Sequence, residues 1–414
     1  MAARKKKNTG ARSVDLAGAS SPLAAVREFL IKKKGKEFTD CRVVLDEESL
    51  KESLPHISTG SDVVNYLIGG EPNTFGVAPC PGWPRGRVAQ VWGHESAGKT
   101  TLCLETVAAV CQAGGTAVYI DWENDIVPDY AAALGIPVTD PDRFELLQPE
   151  TLEDGIKYAM AYATAGVDVI IFDSVGAAVP RRIAERDALD VAEQAKVAEL
   201  QSVWSQELPN LKKVIAKSGT AIVGISQIRS TLASMPGAKT TKPQGGNAWK
   251  FYASVRLELR RVKNEKSREH NVLTHKTDER VVGGIIKVTA IKCKLSRAQG
   301  RDEIFYIRWG EGIDNVRTMM EIASNHGIIK KGGAWLSWND CPSGPLKIQG
   351  TEKLRTHLME NEEDYLALRD RVMPLLGHDA DVVYVDEDED GGPTSDLDAI
   401  FDEPKKSNVP DLDE

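Results

Sequence analysis

The 414-residue chain has no apolar stretch long enough to span a bilayer, and its first residues, MAARKKKNTGARS, lack a hydrophobic signal core. Neither a membrane partner nor a secretory leader is expected, and the reading is a cytoplasmic protein. The six cysteines (Cys41, Cys80, Cys103, Cys111, Cys293 and Cys341) form no C-x-x-C pair and no metal-ligand spacing. Reduced, mostly buried thiols are expected in place of a disulfide framework. Hydrophobic residues at 41% and charged residues at 27% are ordinary for a globular chain, here long enough for two or three domains.

The formal charge of −9 is unevenly spread. Residues 379–414 carry 14 Asp and Glu against Lys405 and Lys406, a net −12, so residues 1–378 hold 50 basic and 47 acidic side chains, or +3. A mildly basic body is compatible with nucleic acid without arguing for it. The tail has a DEDED run and few large apolar groups, which predicts disorder, as does the basic stretch 1–21.

Residues 22–34, PLAAVREFLIKKK, place Leu23, Val26, Leu30 and Ile31 on one helical face, ahead of a linker to residue 55. From 56 to 312 the pattern alternates strand and helix. VAQVW (88–92), AVYID (117–121), DVIIFD (168–173) and TAIVGISQI (220–228) are short apolar runs that suit a parallel sheet covered on both faces. Helices are expected over 99–113 and 189–217. ASVRLELRRV (253–262) and GIIKVTAIKC (284–293) suggest a hairpin-like edge, with the polar segment 263–280 as a long exposed loop. Residues 313–378 read as a small C-terminal domain, helical again around GAWLSW (333–338).

The chemistry starts at GHESAGKTT (93–101). Gly93, Gly98, Lys99 and Thr100 satisfy the G-x-x-x-x-G-K-[ST] pattern, in which backbone N–H groups cradle phosphates. Lys99 can reach the β- and γ-phosphates, and the Thr100 hydroxyl can hold Mg²⁺. Asp173 ends an apolar strand, as a carboxylate that orders Mg²⁺ would, although a helix-capping Asp gives the same pattern. Glu123 lies just past AVYID, at the sheet edge where α/β ligands bind, and can polarise an attacking water; Asp121 competes for that role. Gln227 ends another strand, where an amide can sense the γ-phosphate. The polar, Gly/Pro-containing segment after it suits a nucleotide-driven switch, and equally an ordinary surface loop.

SQIR and GGNAWKFYASVRLELRR (245–261), with GHESAGKTT, VDVIIFDSV (167–175) and GAWLSW in this order, closely resemble the RecA family of DNA recombinases. The resemblance spans about residues 22–377. It implies a RecA-type α/β phosphate-loop ATPase core with a central, mainly parallel sheet, a small N-terminal helix used in oligomerisation and a small α+β C-terminal domain. It further implies a DNA-dependent ATPase that uses ATP and Mg²⁺, assembles as a helical filament on single-stranded DNA and exchanges strands with double-stranded DNA.

By position, the resemblance makes Gly93, His94, Glu95, Ser96, Ala97, Gly98, Lys99, Thr100 and Thr101 the nucleotide loop, with Asp173 and Thr100 at Mg²⁺ and Tyr130 stacked on adenine. It favours Glu123 over Asp121 as general base and makes Gln227 the γ-phosphate sensor. Lys292 and Lys294 become a pair that reaches a neighbouring subunit's ATP, as an arginine finger does. Arg229, Leu232, Met235, Gly245, Gly246 and Asn247 fall in or beside the second DNA loop. Departures are Val127 at an acidic adenine-contacting position, an acidic first DNA loop at 185–193, Pro236 for a bulky aromatic, and Ser226 for Asn. A RecA-type helicase motor shares the core but leaves GGNAWKFYAS unexplained. A mediator that binds DNA but barely hydrolyses ATP is opposed by the intact Lys99, Glu123, Asp173, Gln227, Lys292 and Lys294.

Overall fold

The apolar runs do become parallel strands. The computed structural model describes residues 21–41, 48–69, 72–185, 193–230, 241–243, 245–271 and 276–376. They fall into two units, residues 1–52 and 53–414. In the larger unit the sheet runs Phe144–Leu147, Ala117–Asp121, Val169–Asp173, Ala221–Ser230, Val88–Gly93 and Val255–Asn271, every neighbouring pair parallel. Lys276–Cys293, Asp302–Arg308 and Gly312–Ile313 extend it antiparallel.

The reason for the continuous apolar runs is visible in the strand Val169–Asp173. Val169 and Ile171 join a core with Leu102, Leu104 and Val107 of the helix Lys99–Gln112. Ile170 and Phe172 join the opposite core, with Ile156 of the helix Leu152–Ala165 and Trp204, Leu208 and Leu211 of the helix Glu193–Ser218. Both faces of the sheet are covered, so no position in the strand can be polar until its end.

Two expectations are corrected. Residues 263–271 and 276–280 are not loop: Val255–Asn271 and Lys276–Cys293 pair antiparallel from Cys293↔Val255 out to Lys276↔Asn271. The outer part of this pairing is polar because ladder hydrogen bonds, not burial, hold it. GAWLSW is not helical either. Trp335–Trp338 is the middle strand of an antiparallel sheet with Lys330–Gly332 and Leu346–Gln349, and it alternates, with Leu336 and Trp338 buried and Trp335 exposed.

That sheet and the helices Asn315–Asn325, Thr351–Glu360 and Glu362–Val372 surround a core of Met319, Trp338, Leu354 and Leu368, to which Val63 contributes. Arg369 pairs with both carboxylate oxygens of Asp62 at 2.9 and 3.0 Å. The five cysteines whose side chains are described are free and buried. Among the described residues, no helix is long and apolar enough to cross a membrane.

In the smaller unit, the helix Pro22–Lys34 is capped by the Ser21 hydroxyl, which accepts from the Ala24 N–H, and is stopped at Gly35, whose φ is +54°. Leu23, Val26 and Ile31 are exposed. A second helix, Lys36–Cys41, occupies the start of the expected linker.

Candidate nucleotide and DNA site

Four strand ends form one edge. Register places Asp121 opposite Asp173 and Gly93 opposite Gln227, so the phosphate-binding loop, both aspartates and the glutamine meet at the C-terminal edge of the parallel strands. The loop leaves the strand at Gly93, where a Cβ would stand 2.1 Å from the Leu259 carbonyl oxygen. It enters the helix at Gly98, φ +81°, where a Cβ would meet Ile307 at 2.3 Å. Only glycine fits at either place.

Lys99 is buried and donates to the His94 carbonyl oxygen at 2.6 Å, bracing the loop from inside. Desolvation lowers its pKa, while Asp173, Glu123 and Glu95 pull the other way. The Thr100 hydroxyl donates to Asp173 Oδ2 at 3.1 Å, and the Tyr119 hydroxyl donates to the same oxygen at 2.6 Å. Burial pushes the Asp173 carboxyl up to about 7, with like charge from Glu123 and Asp121 adding to it, although the bonds from Tyr119 and Thr100 oppose the shift. A hydroxyl and a desolvated carboxylate side by side beneath the loop form a hard oxygen donor pair, which fits Mg²⁺. An ammonium next to them fits a polyphosphate. Thr101 accepts from the Tyr130 hydroxyl at 3.2 Å, which fixes that ring next to the loop's helix.

The two acidic candidates are distinguished by their partners. Asp121 is buried and accepts from the backbone N–H groups of Glu123, Asn124 and Ile126 at 3.0, 2.9 and 3.4 Å, so it caps the turn after its own strand. Glu123 faces across the edge and accepts from Gln227 Nε2 at 2.9 Å.

Beneath Gln227 lies a polar chain that the sequence did not reveal. Arg256 Nε donates to Gln90 Oε1 at 2.7 Å, and Gln90 Nε2 donates to Ser226 Oγ at 2.7 Å, linking three adjacent strands. All three residues are buried, and desolvation lowers the Arg256 pKa. Ser226, which the family resemblance marked as a departure, is therefore the acceptor that satisfies Gln90. A lone Gln or Arg within an apolar strand carries no sequence signal of this pairing. Tyr119 is a second omission; the hint was a tyrosine in a strand destined to neighbour Asp173.

From Gln227 the strand runs on to Ser230, and Ile228, Arg229 and Ser230 pair with Pro243, Lys242 and Thr241. Leu232 and Met235 lie outside the described residues, as do most of 185–193 and the acidic tail, and of Arg229 only the backbone is described. Gly245 and Gly246 have φ +93° and +77°; a Cβ there would meet Val175 at 2.7 Å and Gln201 at 2.5 Å. Asn247 is exposed in the first turn of the helix Gly246–Tyr252. Lys292 Nζ donates to the carbonyl oxygens of Lys250 and Phe251 at 2.7 and 3.2 Å. Burial lowers the Lys292 ammonium to about 8, helped by Lys294, Arg256, Lys212 and Lys250.

An aromatic block joins the two parts of the site. Phe172, next to Asp173, stacks on Trp122, next to Glu123, with centroids 5.5 Å apart. Trp204 meets both edge-on at 5.6 and 6.4 Å, and Trp249, just after the glycine pair, packs edge-on against Trp204 at 5.1 Å.

Comparison with known proteins identifies the family. Residues 26–314 match the family model described as the RecA N-terminal domain. The chain is 34% identical over 359 residues to protein RecA of Lactobacillus johnsonii, covering 86% of this chain and 90% of that protein. It is 34% identical over 361 residues to protein RecA of Halalkalibacterium halodurans, covering 86% and 93%. Against the chromosomal protein RecA of Lactococcus lactis it is 34% identical over 345 residues, covering 82% and 81%. The chain belongs to the RecA family.

Proposed function

We propose that the protein is an ATP-dependent DNA recombinase that forms a filament on single-stranded DNA and pairs it with homologous duplex. The observation that carries this reading is the bond from Gln227 to Glu123, because residues 228–244 begin directly after that amide. A displacement of the backbone that follows Gln227 would reach the group that holds Glu123.

In this reading Lys99, Thr100 and Asp173 hold Mg²⁺–ATP, and the metal supplies charge neutralisation at the phosphates when bound. Glu123 takes the proton of the attacking water, while Asp121 keeps its turn in shape. Gln227 responds to the γ-phosphate and passes the response into the DNA-binding segment, where Arg229, Leu232, Met235 and Asn247 contact the strand. Gly245 and Gly246 act through the backbone, by letting the helix Gly246–Tyr252 start against Val175 and Gln201.

Lys292 and Lys294 serve a neighbouring copy. Lys294 is level with Ser254, and Ser254 with Val88, five residues before Gly93. Five strand residues span about 17 Å; Lys292 is level with Arg256 and Gln90, three residues or about 10 Å before Gly93, and its ammonium is held at the Lys250 and Phe251 carbonyl oxygens, away from its own phosphate loop. Hydrolysis then needs assembly, and the exposed Leu23, Val26 and Ile31 offer an apolar face for it.

The test is ATP hydrolysis with and without single-stranded DNA, with Lys99→Ala as the blank, followed by strand exchange. Strong stimulation by DNA supports the reading. Equal rates with and without DNA would break the link through Gln227, and ATP-dependent DNA binding without hydrolysis would indicate a mediator.

A further inference from the structure

One cluster in the C-terminal element has no part in the site above and shares no residue with it. Cys341 follows the strand Trp335–Trp338, His357 lies on the helix Thr351–Glu360, and Asp364 is in the first turn of the helix Glu362–Val372. Three separate elements thus deliver a thiol, an imidazole and a carboxylate whose ligand atoms all lie within 4.8 Å of one another. His357 Nε2 is 2.8 Å from Asp364 Oδ2.

Cys341 and Asp364 are 6% and 1% exposed, whereas the His357 side chain is 23% exposed, so the cluster is closed inward and open on the imidazole side. Ser343 adds a hydroxyl to the same cage: its Oγ is 2.6 Å from Asp364 Oδ2 and 3.4 Å from Cys341 Sγ. Its backbone N–H donates to Asp364 Oδ1 at 3.0 Å, which fixes the carboxylate's orientation.

We propose that Cys341, His357 and Asp364 form a Zn²⁺ site, with water or the Ser343 hydroxyl in the fourth position. Sulfur, nitrogen and one carboxylate oxygen are the donors that zinc takes, whereas Mg²⁺ and Ca²⁺ select oxygen alone. Zinc bond lengths of about 2.0–2.3 Å put neighbouring ligand atoms roughly 3.2–3.7 Å apart, so a separation as wide as 4.8 Å must close by about 1 Å, while His357 Nε2 and Asp364 Oδ2, now 2.8 Å apart, give up their hydrogen bond and open by roughly 0.5 Å. The turn carrying Cys341 and Ser343 can supply that movement. Binding replaces the Cys341 S–H bond with an S–Zn bond and releases one proton to solvent. The neutral imidazole binds through Nε2, and its ring proton then lies on Nδ1, which Asn361 Nδ2 faces at 3.3 Å. A flip of that amide presents its oxygen to Nδ1, in exchange for the 2.7 Å bond from Asn361 to the His357 carbonyl oxygen. The bound ion would tie the turn to both helices and stabilise the C-terminal element.

The experiment titrates Co²⁺ into the full chain after chelation, with Mg²⁺ in excess and no nucleotide. The expected result is one equivalent bound, with the near-ultraviolet charge-transfer band of a cobalt–thiolate bond and the visible bands of a four-coordinate ion, all displaced by Zn²⁺. Cys341→Ser should remove the charge-transfer band, and Asp364→Asn should weaken binding by at least about tenfold. Far-ultraviolet dichroism checks that each variant folds; if Cys341→Ser does not, His357→Gln gives the same reading through lost affinity. No thiolate band at one equivalent of Co²⁺, or a band that persists in Cys341→Ser, overturns the proposal.

Discussion

Gln227 Nε2 donates to Glu123 Oε1 at 2.9 Å, across an edge where the strand ending in Asp173 lies between the strands that deliver them. The bond spans the gap between the proposed catalytic carboxylate and the start of the proposed DNA-binding segment, so the two residues should fail differently. Glu123→Gln removes the base and should lower the DNA-stimulated kcat by about 10²- to 10⁴-fold while ATP-dependent DNA binding persists. Gln227→Ala should leave basal hydrolysis intact and abolish stimulation by DNA. Steady-state kinetics with and without single-stranded DNA separates the two; a Gln227→Ala protein still stimulated to the wild-type level would disprove the coupling.

Asp121 should behave as a scaffold. Asp121→Asn keeps one acceptor oxygen for the turn and loses the other, so it should cost on the order of 1–3 kcal/mol in urea unfolding. Its kcat should stay well above that of Glu123→Gln. A kcat as low as that of Glu123→Gln, in a protein of normal stability, would reverse the assignment.

Lys292 predicts a pH dependence. Its ammonium is lowered to about 8 by burial and by the charges of Lys294, Arg256, Lys212 and Lys250, so it loses its proton as pH rises through that value. A neutral amine cannot stabilise phosphate charge. DNA-stimulated kcat/KM, which reports the free protein, should therefore fall above about pH 8 while nucleotide affinity holds. Lys292→Arg keeps its charge throughout and should flatten the profile. An unchanged fall in Lys292→Arg would assign the titration to another group.

Much of this was legible in the sequence, for a physical reason. A strand covered on both faces must be apolar along its length, so VAQVW, AVYID and VIIFD stand out, and the candidate site residues fall where those runs stop. The base of the hairpin was legible in ASVRLELRRV and GIIKVTAIKC, but its outer part was not, because ladder hydrogen bonds leave no mark in side-chain chemistry and polar strands there look like a loop. Strand position alone left Asp121 and Glu123 open, since both sit at the same strand end; the family resemblance favoured Glu123, and the backbone turn shows Asp121 engaged as a cap. Arg256, Gln90 and Ser226 were missed because each satisfies the next across strands far apart in sequence. Cys341, His357 and Asp364 have no short metal-ligand spacing in the sequence because a loop and two helices, rather than a short motif, assemble them.

Glu105 predicts a stability effect. Burial lifts its carboxyl to about 7, although it accepts from the Ile313 N–H at 2.8 Å. A raised carboxyl pKa means that the folded state holds the proton more tightly, so its stabilisation is complete below about 4.5 and is lost as pH rises to about 7. Glu105→Gln keeps the acceptor without the charge. It should stabilise the protein by on the order of 1–3 kcal/mol at pH 8 and by little at pH 5, measured by urea unfolding. Equal effects at both pH values would mean that the ionised carboxylate carries no penalty.

The aromatic block supplies the last prediction. Trp249 follows the glycine pair Gly245–Gly246 after the proposed DNA segment, Trp122 precedes Glu123, and Phe172 and Trp204 fill the space between. The packing leaves little slack: a Cβ on Gly155 would meet Trp122 at 2.3 Å, and one on Gly224 would meet Trp249 at 2.4 Å. Interiors this dense transmit displacement instead of absorbing it. A shift of the helix Gly246–Tyr252 on DNA binding should therefore press through Trp204 and Phe172 on the turn that holds Glu123. Trp249→Leu shortens the contact while keeping the site apolar. Coupling of about 0.5–2 kcal/mol corresponds to a roughly two- to thirtyfold smaller stimulation of ATP hydrolysis by DNA, with basal hydrolysis unchanged. Basal hydrolysis that falls in step with stimulated hydrolysis would show that Trp249 only supports the fold. Full stimulation in a folded Trp249→Leu protein would show that the signal reaches Glu123 through Gln227 alone.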